Sequence, residues 1–375
     1  FKKYVLSDEN YKRWVTSDDG TVVKFGSMVI PMQPSGRGKA YSGPMIRKDL
    51  LDMVGLPVPE TIDEWYNLLK TFKTNFPDIM PFVWSAANNS QNSFTGAFDV
   101  QKGFYQVNGK VKYGPMEPGY LEFMRLMHQW TKEGLVSAEY VNVDQIMQAL
   151  KGASCDISLY RYNTYRAKVI PQNPNAILVA APYPVRKKGD VYHFGDEYVG
   201  VAFEGKFVTT ACKYPVEAVK FIDYMYSPES SDMMNWGIEG ESYVIVDGKR
   251  VETQRMKDPA ERCKYILNQF RGFVDEDQNA QQYPFAEQHE AWEIWGSSGT
   301  DYKFPVGYTM TTEENTEYTQ IMSEIDKFVN ETYQAMILGK QSLDTFDQYV
   351  SKLKEMKIER ALEIWQATLD RYYSR

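Results

Sequence analysis

Apolar positions along the chain fall into two rhythms. Ile62, Trp65, Leu68, Leu69 and Phe72 recur at helical spacing behind Thr61-Ile62-Asp63-Glu64. That tetrad is a capping box, in which a hydroxyl and a carboxylate satisfy the free N–H groups of a helix start. Leu121, Met124, Met127 and Trp130 form a second stripe, opened by Pro118-Gly119 and stopped at Gly134. Ala218, Phe221, Ile222 and Met225 form a third, with Pro215 in the first turn, where its missing N–H costs little. The C-terminal stretch predicts three helices, over 318–338 closed by Gly339, over 342–356 and over 358–372.

Short apolar runs bounded by turn residues predict strands over 22–30, 41–46, 79–84, 155–159 and 176–181, the last two separated by a helix. Alternation around Asn108-Gly109 and around Asp247-Gly248 predicts two hairpins, because both dipeptides accept the positive φ angles of a tight turn. A run over 199–210 is long enough to cross between domains. Strands alternating with helices define an α/β fold. The sequence contains no internal repeat and no low-complexity tract.

Composition excludes several classes. The chain has 375 residues, enough for two or three domains. It carries 42 Lys and Arg against 50 Asp and Glu, a formal charge of -8, which argues against a general nucleic-acid binder. No run approaches the roughly 18 consecutive apolar residues of a membrane span. Cys155, Cys212 and Cys263 lie far apart with no Cys-x-x-Cys spacing, and read as plain thiols. His128, His193 and His289 include no i,i+4 pair, so neither a histidine metal site nor any cofactor is expected. Gly36-x-Gly38 lacks both the dinucleotide and the Walker A patterns. Asp275-x-Asp277-x-Asn279 begins like a calcium loop, but Ala280 and Ala286 replace its glycine and its glutamate.

The surplus is aromatic: 8 Trp, 27 Tyr and 19 Phe, 14% of the chain. A sugar ring has apolar C–H faces and a hydroxyl rim, so its site needs flat rings together with bidentate polar groups. Trp65, Trp130 and Trp365 sit on helical stripes and read as core. Trp84, Trp236, Trp292 and Trp295 lie at expected strand ends or beside Gly-rich loops, and are ligand candidates. Tyr160, Arg161 and Asn163 follow an expected strand, and Glu197 and Tyr198 stand at the start of the crossing run. The ligand-binding expectation is therefore Trp84, Tyr160, Arg161, Asn163, Glu197, Tyr198, Trp236 and Trp295. Asp196 or Glu197 with Glu239 leaves open a glycan-active hydrolase built on a carboxylate pair.

Gly43-Pro44-Met45-Ile46-Arg47-Lys48-Asp49-Leu50-Leu51-Asp52-Met53-Val54-Gly55-Leu56, followed by Pro59-Glu60-Thr61-Ile62-Asp63-Glu64-Trp65, resembles the extracellular solute-binding proteins of bacterial ABC importers, in their carbohydrate-oriented family. Trp130-Thr131-Lys132-Glu133-Gly134-Leu135, then Trp236-Gly237-Ile238-Glu239-Gly240-Glu241-Ser242-Tyr243 with Val246-Asp247-Gly248-Lys249, and finally residues 366–372, agree in order with the long lipoprotein branch of Gram-positive bacteria. The resemblance implies a periplasmic-binding-protein-like fold of two α/β lobes, with a hinge and a ligand cleft between them.

Lobe one would comprise 1–43 and 205–305, its N-terminal portion missing before Phe1, and lobe two 44–204 and 306–375. Crossings would fall near 41–45, 199–208 and 304–310. The resemblance further implies a non-enzymatic monomer outside the cell that captures a carbohydrate, here an oligosaccharide, and presents it to ABC permease subunits. Membrane anchoring would come through a lipidated cysteine that this chain does not contain. A sugar-sensing binding protein without transport duty fits the same residues.

Overall fold

The computed structural model describes residues 1–17, 20–30, 40–84, 93–137, 142–196, 201–265, 270–305 and 307–374. Ten strands are named here: β1 (Phe25–Ile30), β2 (Ser42–Arg47), β3 (Phe104–Val107), β4 (Lys110–Tyr113), β5 (Ser154–Ser158), β6 (Leu178–Ala180), β7 (Val201–Lys206), β8 (Tyr243–Val246), β9 (Lys249–Glu252) and β10 (Phe273–Asp275). They form two three-stranded sheets and two hairpins among the described residues. In the first sheet β1 lies between β10, parallel to it, and β7, antiparallel to it. In the second, β2 runs antiparallel to both β5 and β6. The carboxyl ends of β5 and β6 therefore share one edge.

Two hydrophobic clusters accompany these sheets. Val5, Tyr11, Val15, Met28, Ile222, Met225, Tyr226, Met234 and Phe273 make the smaller one around β1. The larger surrounds β2 and takes in the buried face of helix Ile62–Asn75 together with helices Pro118–Lys132, Thr312–Ile337 and Ile358–Ser374. Ala40 and Met45 belong to the larger core, as do Ala291, Trp292 and Trp295. The expected crossing near 41–45 is thus the central strand of the larger sheet, and residues 31–39 and 197–200 lie outside the described residues. Near 304–310, Phe304 and Tyr308 pack on Trp365, while a Cβ on Gly307 would lie 2.6 Å from Trp14 Cα beside the smaller core.

Local chemistry explains most elements. Thr61 accepts from the Glu64 N–H and the Glu64 carboxylate accepts from the Thr61 N–H, the reciprocal cap its spacing predicts. Asn108 (φ 52°) with Gly109 (φ 79°) and Asp247 (φ 50°) with Gly248 (φ 76°) close the two hairpins in the left-handed conformation. Segment 79–84 departs from expectation. It runs parallel to β5 through the isolated pairs Met80–Gly152 and Val83–Cys155. Pro81 has no N–H to extend a ladder there. Helix Thr312–Ile337 begins earlier than the apolar stripe suggests, because Thr311 and Glu314 form a second capping box.

Candidate functional site

In open α/β sheets, ligands gather at the carboxyl ends of parallel strands. In the larger sheet that edge receives the end of segment 79–84 at Trp84, the end of β5 at Ser158, the residues after β6 and, because β2 is antiparallel, the start of β2 at Tyr41 and Ser42. Ser158 caps helix Leu159–Val169 by accepting from the Arg161 N–H, and so presents Tyr160 and Arg161 at the rim. Tyr160 is 56% exposed and Tyr41 40% exposed. Arg161 Nε stands 3.7 Å from Asp144 Oδ2, both half-exposed. Burial lifts the Tyr41 phenol above its ordinary range, against the pull of the Ser158 hydroxyl and Arg161.

Asp196 joins two approaches to this edge. Its Oδ2 accepts from the Tyr41 N–H (2.8 Å), the Ser42 N–H (2.9 Å) and the Ser42 hydroxyl (3.2 Å). Its neighbour Gly195 accepts from Lys303 Nζ (3.0 Å) and donates to the Gly299 carbonyl (2.8 Å). His193 stacks on Tyr302 at 4.0 Å and its Nδ1 lies 2.9 Å from Asp301. The chain entering β2, the chain approaching 197–200 and the chain approaching 306 are thereby tied together. Beneath the knot a cavity of about 70 Å³ is lined by Ser42, Ser93, Gln101, Tyr183, Asp196 and Lys303. The Tyr183 and Tyr192 rings stack beside it at 4.8 Å, and their hydroxyls donate to the Ser42 and Ser93 carbonyls.

Asp156, opposite Pro44 in the register of β5 on β2, lies behind this cavity. It is fully buried, and neither carboxyl oxygen has a hydrogen-bond partner among the described residues. Burial pushes its carboxyl up to about 7, with the neighbouring Ser93 hydroxyl acting the other way. The Tyr183 and Tyr192 phenols, both raised by burial, also feel its charge. An Asp amid the apolar residues of a strand was the one sequence signal for this position.

The other sequence candidates are placed differently. Trp84, Trp236, Trp292 and Trp295 are all buried, at most 7% exposed. Trp84 packs among Phe82, Phe94 and Phe123. Trp295 donates its indole N–H to the Ala181 carbonyl and lies against Gly43. Trp236, beside the smaller core, donates to Asp275 Oδ2 under the Arg250 guanidinium. The aromatic surplus thus goes largely into core packing, and the exposed rings at the edge are tyrosines. Asn163 spans Gln282 and Gln288 within the fold.

Glu197 and Tyr198 lie outside the described residues, directly after Asp196. Of the alternative carboxylate pair, Asp196 holds backbone N–H groups on the larger body and Glu239 follows a helix packed on the smaller sheet, while Glu197 lies outside the described residues. Asp275 caps helix Glu276–Ala280 by accepting from the Gln278 N–H, so the calcium-like string is a helix start. An apolar cavity of about 340 Å³ near Phe207, Phe221 and Phe270 offers little hydrogen bonding for a hydroxylated ligand.

Comparison with known proteins agrees with this architecture. The bacterial extracellular solute-binding protein family matches residues 2–232. The fructooligosaccharide ABC transporter substrate-binding protein FusA of Streptococcus pneumoniae is 24% identical over 257 residues, 64% of this chain and 46% of FusA. Lipoprotein LipO of Bacillus subtilis is 23% identical over 222 residues, 54% of this chain and 44% of LipO. The chain thus spans about half the length of the curated relatives it matches. The crystal structure of the alginate-binding protein AlgQ2 without calcium ion superposes with a TM-score of 0.78 at 24% identity, over 98% of this chain and 78% of that one. That likeness shows the fold, an α/β architecture like that of periplasmic binding proteins.

Proposed function

Since the chain belongs to the bacterial extracellular solute-binding proteins, we propose that it is the ligand-capturing component of an ABC importer, that its ligand is an oligosaccharide, and that no bond is broken during capture. The observation that carries this reading is the exposed pair Tyr41 and Tyr160 beside Arg161, Asp144 and Ser158 at the carboxyl edge of the larger sheet. Rings of this kind stack on the C–H faces of a sugar, and a guanidinium with a carboxylate grips its hydroxyl rim. The named ligands of FusA and AlgQ2 are carbohydrates. The two bodies would close on the ligand as lobes, moving about the segments tied at Asp196 and Lys303. Delivery would be to a permease pair, from a protein held outside the cell as LipO's name as a lipoprotein suggests.

Thermal denaturation with a panel of glycans tests the reading. A glycan at 100 times its Kd should add about 2.7 kcal/mol of apparent stability, with no new reducing ends released. Stabilisation by peptides or amino acids with none by any glycan would overturn the sugar assignment, and turnover would overturn the non-enzymatic one. Tyr160→Ala should weaken the stabilising glycan about three- to tenfold, the worth of one stacked ring, and leave the unfolding temperature without ligand unchanged.

A further inference from the structure

Asp156 and the cavity at the Asp196 knot belong to one side of the larger sheet. Directly opposed residues of an antiparallel pair project from the same face, and every second residue of a strand returns to it. Ser42 opposes Ser158 and Pro44 opposes Asp156, so Asp156 points to the face on which the Ser42 hydroxyl meets Asp196. Ser93, Tyr183 and Tyr192 line the cavity on that face. Ser93 also stands beside the Asp156 carboxyl, and both phenols feel its charge. The two phenol hydroxyls donate to the Ser42 and Ser93 carbonyls. Both oxygens of the buried Asp156 are thus left without a hydrogen bond among the described residues. The polar space beyond Ser93, about 70 Å³ and lined by hydroxyls, a carboxylate and an ammonium, takes a few waters. Water there is the polarisable medium on this side of the charge.

We propose that ligand capture is linked to the protonation of Asp156: closure over the carboxyl edge expels the cavity water, and the closed, liganded form takes up a proton. The inference rests on the carbohydrate reading above for its ligand, and a neutral sugar has no titrating group of its own. The carboxyl stands at about 7 in this structure, and further desolvation raises it. Binding is then strongest where the acid is protonated in both forms, and it weakens as pH rises through 7, where the unliganded form ionises first. The titrating groups nearest Asp156 cannot supply this dependence, because burial raises Tyr183, Tyr192 and Cys155 and keeps them neutral in this range. The Asp196 carboxylate, the Lys303 ammonium and the Arg161–Asp144 pair complete the charges around the edge. His193, which faces Asp301 elsewhere in the knot, is the competing source of any pH dependence.

The test is calorimetric titration of the wild-type chain and of Asp156→Asn with neutral fructose and glucose oligosaccharides at pH 6, 7 and 8. At pH 7 each titration is repeated in phosphate and in imidazole buffer, whose heats of ionisation differ, so that the difference in heat counts protons. Closure that raises the proton affinity of the carboxyl about three- to tenfold makes binding about two- to fivefold tighter at pH 6 than at pH 8, with uptake of about a third of a proton at pH 7. Asparagine stands for the neutral acid. Asp156→Asn should therefore lose both effects and bind at pH 8 as tightly as the wild type does at pH 6, and its cooperative unfolding verifies the fold. Wild-type affinity independent of pH, or proton release on binding, overturns the linkage. A pH dependence that persists in Asp156→Asn also overturns it and points to His193. Absence of binding by every glycan overturns the carbohydrate reading, and the linkage falls with it.

Discussion

Asp156→Asn should stabilise the chain relative to wild type by a margin that grows by about 3 kcal/mol between pH 5 and pH 8. The cause is the fully buried carboxyl of β5, raised from an ordinary 3.8 to about 7 by desolvation. An acid whose folded value lies above its unfolded value contributes no penalty while it is protonated in both states. The penalty begins as pH rises past the unfolded value, where the unfolded chain ionises and the folded one resists. It reaches its full size above about 7, where the folded chain must also carry the charge. A tenfold difference in proton affinity corresponds to about 1.4 kcal/mol, so the full penalty is about 4 kcal/mol, of which roughly a third is already present at pH 5.

Asparagine keeps the shape and cannot ionise. Its own cost of burying an amide is the same at both pH values and cancels from the difference. Urea denaturation of both proteins at the two pH values measures it, and parallel stability curves would show that the carboxyl is not desolvated as described. Proteins tolerate a cost of this kind mainly at functional sites. Asp156 lies directly behind the hydroxyl-lined cavity of the carboxyl edge.

Local signals carried far along this chain. The capping box at Thr61, both hairpin turns and the helical stripes behind them depend on residues within one or two turns of each other, and all formed as their spacing predicts. Segment 79–84 has the composition of a strand, but its Pro81 removes the donor that a regular ladder requires. The site was far less legible. Its edge is assembled from Tyr41, Asp144, Ser158, Tyr183, Asp196 and Lys303, six positions spread over most of the sequence. The burial of the candidate tryptophans was illegible for a related reason. Neighbouring glycines suggested open loops around Trp295, but its environment is set by Gly43 and Ala181, more than a hundred residues away. The position of Tyr160 and Arg161 at the rim was legible because the end of a strand and the first turn of the next helix are adjacent in sequence.

Gly43→Ala and Trp295→Ala should each destabilise the chain strongly, and combining them should cost no more than Trp295→Ala alone. Gly43 has an ordinary strand conformation, so its lack of a side chain matters for space rather than for backbone freedom. A Cβ there would lie 2.6 Å from Trp295 Nε1, which forces the indole away from the Ala181 carbonyl it donates to. Overpacking of this kind costs about 1–3 kcal/mol. Trp295→Ala removes a ring that is 0% exposed and leaves a cavity together with an unpaired carbonyl, at about 3–5 kcal/mol. In the double variant the alanine methyl enters space the indole has vacated, so the clash is absent and the pair is coupled by about 1–3 kcal/mol. Midpoints of urea unfolding for the four proteins close the cycle, and simple additivity would mean that the close approach of strand and indole is not what requires glycine. Gly43 also follows Ser42, whose N–H and hydroxyl both reach Asp196. A strand displaced by the added methyl should therefore carry its damage into the knot, and Gly43→Ala should weaken glycan binding while the double variant recovers part of it.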